Sequence, residues 1–147
     1  MLFTYDNITL YYEKYGNNKR SIFILPGWGD TRNTFYYIVK FLSSFFTIYI
    51  IDLPGFGQSP FPNKNLTIYD YADLIHNFIK QQKVENPILL GHSFGGRIII
   101  TLCGHYKIKA DKIILIDSAG IKPKKSLYQI LKTYLYKFLK KLKIFLP

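Results

Sequence analysis

Among the residues of this chain that can do chemistry, one run stands in a pattern that demands it: Gly91-His92-Ser93-Phe94-Gly95-Gly96. It lies between an apolar stretch ending at Leu90 and a helical pattern starting near Gly95, so a G-x-S-x-G sequence occurs where a strand turns into a helix. Such a turn lifts the serine hydroxyl above the sheet edge. Flanking glycines leave the necessary room, because a Cβ there would collide with the neighbouring strand and helix. Ser93 is therefore the candidate nucleophile, against the plainer reading of a glycine-rich turn with an incidental serine. The turn also aims the first amides of the following helix at the reaction centre, so the Phe94 N–H can donate to a developing oxyanion.

A serine hydroxyl is a poor nucleophile until an imidazole takes its proton and a carboxylate fixes that imidazole's tautomer. The histidines are His76, His92 and His105. His92 adjoins Ser93 and is expected to point away from it. His105 lies 12 residues beyond Ser93, roughly 18 Å along a helix rising ~1.5 Å per residue. Each reads as a structural or surface histidine rather than the base. Asp117 could supply an acid, but it would have no histidine to orient. Asp52 could be called a general base, but it stands in a loop rich in proline and glycine, and acid–base work needs reach to the reacting centre. Cys103, the lone cysteine, reads as a small core residue with no second thiol for a disulfide or a CxxC pair. No cofactor and no metal are expected.

The elements that position these residues follow from apolar periodicity. Leu2 to Tyr5 and Ile8 to Tyr15 alternate about Asp6-Asn7 and read as an antiparallel opening. Ser21 to Leu25, Phe46 to Ile51, Pro87 to Leu90 and Lys112 to Ile116 read as short buried strands. Between them the spacing predicts helices over Asn33 to Leu42, Thr67 to Gln82 and Gly95 to Tyr106, with Thr67 or Asp70 capping the second. Strands separated by helices imply an α/β fold with a mostly parallel sheet covered on both faces.

With these elements in place, the chain resembles the α/β-hydrolase family in four ordered segments. Leu25-Pro26-Gly27-Trp28-Gly29 resembles the family's oxyanion loop, and Asp52-Leu53-Pro54-Gly55-Phe56-Gly57-Gln58-Ser59 its D-x-x-G-x-G-x-S loop. Gly91 to Gly96 matches the nucleophile elbow, and Ile114 to Gly120 the end of the sixth strand. The resemblance implies a serine hydrolase acting on an ester or related acyl substrate through an acyl-enzyme at Ser93. It also makes the Trp28 backbone N–H the second oxyanion donor. Pro26 departs from the family's usual His-Gly, but the loop donates through its backbone. The run Phe41 to Ser59 further resembles pimeloyl-acyl-carrier-protein methyl ester carboxylesterases, which suggests a small or carrier-bound acyl substrate.

The resemblance implies about eight strands, with acid and histidine after the seventh and eighth, hence beyond Pro147. The chain is expected to be the N-terminal part of the hydrolase core over residues 1–119, lacking the last strands, followed by the start of a helical lid over 120–147. Alone it is expected to be inactive or weakly active, and a complementing C-terminal polypeptide is a conceivable partner. From Leu127 to Phe145, residues such as Leu131, Tyr134, Leu135, Phe138 and Leu142 fall on one half of a helix, with Lys132, Lys137, Lys140 and Lys143 on the other.

Composition bounds the alternatives. The 147 residues are 48% apolar and 18% aromatic, ample for one core. There is no leader pattern and no run approaching ~18 apolar residues, so a soluble, cytoplasmic chain is expected. The net charge of +11 is concentrated: residues 107–147 hold 11 lysines against Asp111 and Asp117. A basic amphipathic helix of this kind also suits an anionic membrane surface. Nucleic acid is not expected as a partner, since no recognition fold accompanies the lysines. The competing reading is a non-catalytic remnant that binds a partner or a membrane surface through this Lys-rich helix.

Overall fold

The computed structural model describes residues 1–120 together with Leu131, Lys132, Tyr134 and Tyr136. The proposed lid segment, 120–147, thus lies almost wholly outside the described residues, as does its amphipathic face.

Six strands form one sheet: β1 (Leu2–Tyr5), β2 (Ile8–Tyr15), β3 (Ser21–Leu25), β4 (Thr47–Asp52), β5 (Ile88–His92) and β6 (Lys112–Ile116), in the spatial order β1-β2-β4-β3-β5-β6. β1 and β2 pair antiparallel, and β2 meets β4 antiparallel; β4, β3, β5 and β6 run parallel. The expected antiparallel opening is thus present, and so is the parallel body. The hairpin turns on Asp6 and Asn7, both at positive φ (48° and 58°), which short polar side chains tolerate in a two-residue turn.

Alternation along the strands builds two cores. Phe23, Leu25, Tyr49, Ile51 and Leu89 face α2 (Ile68–Gln81) and α3 (Phe94–Tyr106). Ile22, Ile24, Ile48, Ile50, Ile88 and Leu90 face the other side, where Phe35 and Val39 cover them from α1 (Tyr36–Leu42) and the turn before it. Every residue of β3 and β4 is buried, as a central strand covered on both faces requires. β6 forms the edge among the described residues, with Ile113, Ile114 and Ile116 each at least 40% exposed.

The first helix departs from expectation. In place of one helix over Asn33 to Leu42, a 3₁₀ turn (Arg32–Phe35) precedes α1. The backbone N–H of Arg32 is held by the Asp52 carboxylate at 2.8 Å, and Phe35, at φ −99° and ψ 8°, breaks the helical path to drive its ring into the core. Tertiary anchoring of the first turn overrides the local periodicity.

α2 begins as read from sequence. Thr67 is its N-cap; its Oγ1 accepts from the Asp70 N–H at 3.3 Å while the Asp70 carboxylate accepts from the Thr67 N–H at 2.7 Å, a reciprocal capping box. The hydrogen bonds from Thr67, assisted by Lys64 and only partly opposed by burial, hold the Asp70 carboxyl below its ordinary value. Its contribution is therefore present above the ordinary carboxylate range and fades as pH falls through the depressed value. Thr67→Ala is expected to lower stability by about 1 kcal/mol in urea unfolding at neutral pH, with the gap to the parent chain narrowing in acid.

Candidate active site

The register of the sheet brings the candidate residues together. Leu25 lies opposite Gly91, so the loop leaving β3 and the elbow leaving β5 emerge side by side at the carboxyl ends of the strands. The chain order reverses about β3, with β4 on one side and β5 on the other, and crevices at such switch points are where open α/β sheets bind ligands.

Ser93 occupies φ 48° and ψ −109°, a conformation that costs a non-glycine residue of order 1–3 kcal/mol and persists only where its surroundings over-determine it. Here they do. Its N–H donates to the Ile116 carbonyl at 3.0 Å, and its own carbonyl accepts from Ala119 N–H at 2.9 Å and Arg97 N–H at 3.3 Å. The glycines act by close approach: a Cβ on Gly91 would come within 2.6 Å of the Gly96 nitrogen, and one on Gly95 within 2.6 Å of the Pro26 carbonyl oxygen. Gly96 likewise presses on Ser118, whose Cβ would lie 2.7 Å from a side chain there.

The loop after β3 passes directly beside the serine. A Cβ on Gly27 would lie 3.4 Å from the Ser93 Cβ. The next residue, Trp28, has an exposed ring set edge-on against Phe94 (5.1 Å) and Phe56 (5.0 Å). Neither the Trp28 nor the Phe94 N–H donates to the backbone of another described residue outside the regular elements.

The histidines lie elsewhere. His92 packs against Phe35 on the α1 side of the sheet, its Nδ1 3.8 Å from an Asp30 carboxylate oxygen. His76 stacks on Tyr106 (4.3 Å), and His105 meets Tyr106 and Tyr69, all on the outer helices. Asp117, at φ 43°, follows β6 beside the elbow. Cys103 packs partly buried against the α2–α3 core, and burial pushes its thiol up.

Asp52 holds the two loops in place. Fully buried, it accepts from the Arg32 N–H (2.8 Å), the Gln58 N–H (3.0 Å) and the Arg32 guanidinium. A Cβ on Gly57 would lie 2.9 Å from the Asp52 Oδ1. Ser59 Oγ donates to the Asp52 carbonyl (2.5 Å) and accepts from Tyr11 N–H (2.7 Å), tying the loop to β2. Arg32 also meets Glu13 at 2.9 Å, and this partnership escaped the reading of the sequence. The signal present was compositional: in a chain with 17 Lys and 3 Arg, an arginine retained at position 32 marks a forked, two-carboxylate contact.

A serine on a strained strand-to-helix turn, at the switch point of a mostly parallel sheet and beside the Trp28 loop, defines an α/β hydrolase. The chain belongs to that family, whose profile, described as the alpha/beta hydrolase fold, matches residues 20–145. It is 31% identical over 123 residues to the uncharacterized hydrolase YugF of Bacillus subtilis, covering 80% of this chain and 44% of that protein. It is 37% identical over 90 residues to a pimeloyl-[acyl-carrier protein] methyl ester esterase of Proteus mirabilis, covering 60% of this chain and 33% of the relative. In structure it superposes on an alpha/beta hydrolase fold protein from Burkholderia ambifaria with a TM-score of 0.78 at 19% identity, over 87% of this chain and 47% of that one. The chain thus spans less than half the length of these relatives, and the fold matches the expected partial sheet.

Two predictions follow from the loop anchor. Asp52→Ala removes the buried one of the two carboxylates that hold the half-buried Arg32 guanidinium and is expected to cost about 3 kcal/mol in urea unfolding, part of which Arg32→Met in the same chain restores. Tyr15 donates to Glu13 (2.5 Å), and chiefly for that reason its hydroxyl is pushed up to about 12. Its folded value exceeds the ordinary 10.0, so its contribution is complete below that pH and is lost as pH rises through about 12. Tyr15→Phe is expected to remove a tyrosine that ionises at about 12 from an alkaline absorbance titration.

Proposed function

We propose that this chain carries the nucleophile half of a serine esterase active site. Ser93 Oγ attacks the carbonyl carbon of a carboxylic ester, its proton passing to a base. The tetrahedral oxyanion is held by the Phe94 and Trp28 N–H groups. Collapse expels the alcohol, which takes that proton, and water then cleaves the acyl-enzyme to release the acid. The observation that carries this reading is the strained backbone of Ser93 flanked by two amides without a backbone partner outside the regular elements. The esterase name of the Proteus mirabilis relative supports the ester as substrate class, and a carrier-bound acyl group fits that relative's printed substrate.

The three histidines are engaged with Phe35, Tyr106 and Tyr69, and on this reading the base and its acid are supplied by polypeptide outside these 147 residues. The open edge of β6, with its exposed isoleucines, is where further strands would pair. No described helix is long and apolar enough to cross a membrane, and the setting we propose is the cytoplasm.

A fluorophosphonate probe is expected to add to Ser93, mapped by peptide mass, slowly in this chain alone and faster when the missing strands are supplied. Ser93→Ala abolishes the adduct. Labelling that persists in Ser93→Ala, or that never reaches the Ser93 peptide, overturns the proposal and leaves the interaction module as the surviving reading.

A further inference from the structure

Beside the elbow, the loop after β4 and the start of α2 enclose a cleft of about 840 Å³, walled by Trp28, Phe56, Phe61 and Tyr71 with Pro54 and Pro62. The rings form a chain of edge-to-face contacts rooted at the residue after Ser93: Tyr71 meets Phe94 at 5.2 Å, Phe94 meets Trp28 at 5.1 Å, and Trp28 meets Phe56 at 5.0 Å. Such rings offer faces and edges to a planar guest.

Two polar features sharpen what that guest must be. Tyr71 is 4% exposed, and its hydroxyl makes no hydrogen bond to another described residue. That hydroxyl is not one of the buried polar atoms left without a partner; it is a donor that an acceptor on a guest can take over from water. Burial also pushes its ionisation up, which keeps it a donor at neutral pH. At the rim, Lys64 is paired with Asp6 (3.2 Å) and Asp70 (3.5 Å), so the one charged residue lining the cleft is already neutralised and offers little to an anionic guest.

We infer that this cleft is a subsite for an uncharged aryl or conjugated group bearing a hydrogen-bond acceptor, seated among the aromatic rings with the acceptor on the Tyr71 hydroxyl. As the place where one side of an ester substrate lies, it rests on the serine-esterase reading; as a binding site, it does not.

Trp28 is the single tryptophan, so its emission reports occupancy directly. The probes are benzylacetone, an uncharged aryl ketone; hydrocinnamate, its near-isosteric anion; butylbenzene, which has the ring without the acceptor; and methyl hexyl ketone, which has the acceptor without the ring. Benzylacetone is expected to shift Trp28 emission saturably, with hydrocinnamate and methyl hexyl ketone each binding roughly ten-fold more weakly. Tyr71→Phe is expected to weaken benzylacetone about five-fold, the loss of one hydrogen bond, and to leave butylbenzene binding unchanged, which also certifies the variant's fold. A Trp28 response that never saturates, equal binding of hydrocinnamate or methyl hexyl ketone, or a Tyr71→Phe variant that keeps full benzylacetone affinity overturns the inference. Benzylacetone binding without any Ser93 adduct would sink the esterase reading alone, and an adduct without benzylacetone binding would sink the subsite alone.

Discussion

Backbone packed against backbone at the start of α3 is the constraint on which the rest of this structure depends. Gly95 abuts the carbonyls of Leu25 and Pro26, and Gly91 abuts the peptide between Gly95 and Gly96. With no side chain between them, β3, β5 and the first turn of α3 come as close as main chains can. That closeness goes with the positive φ of Ser93, the residue that joins β5 to α3. It also sets the Trp28 loop beside the serine, because Leu25 is at once the partner of Gly91 and the neighbour of Gly95.

The second anchor is electrostatic and works at longer range. Asp52 is buried without access to water, and its charge is tolerable because Arg32 and two backbone N–H groups surround it. Burial works against the Arg32 charge, but Asp52 and Glu13 outweigh it and hold the guanidinium above its ordinary value. Burial likewise opposes ionisation of Glu13, which hydrogen bonds from Tyr15 and Tyr11 and the charge of Arg32 keep below its ordinary value. The charges of β2, β4 and the turn before α1 therefore form one unit. Through it the loops after β3 and β4 take fixed positions on either side of the aromatic wall.

Local patterns made much of this visible beforehand. The elbow glycines, the Thr67–Asp70 cap, the Asp6-Asn7 turn and all six strands are written in neighbouring residues, where period, spacing and turn chemistry act within a few positions. The 3₁₀ turn at Arg32 was not legible, because its cause, the Asp52 carboxylate, lies 20 residues away. Glu13 stands a further 19 positions from Arg32 in the other direction and reads, in isolation, as an ordinary solvent-facing strand residue. Tyr71 is similar: helical periodicity marks it as core, and only the fold shows that its ring also walls a cleft beside the elbow. The histidines read as structural or surface residues, and in the structure His92 meets Phe35, His76 stacks on Tyr106 and His105 meets Tyr69.

The peptide of Ser93 carries a further consequence through its two hydrogen bonds to the strand beside it. Its N–H is tied to Ile116 and its carbonyl to Ala119, so β6 and the chain leaving it are fastened to both ends of one residue. Freeing either bond loosens the conformation of the other, and the Ser93 and Ala119 amides belong to one cooperative opening unit. A pull on the chain leaving Gly120 therefore reaches the Ala119–Ser93 hydrogen bond before it reaches the β5–β6 ladder. The serine turn is in this sense a clasp: the residue that presents the hydroxyl also fastens the chain leaving β6 to the head of α3.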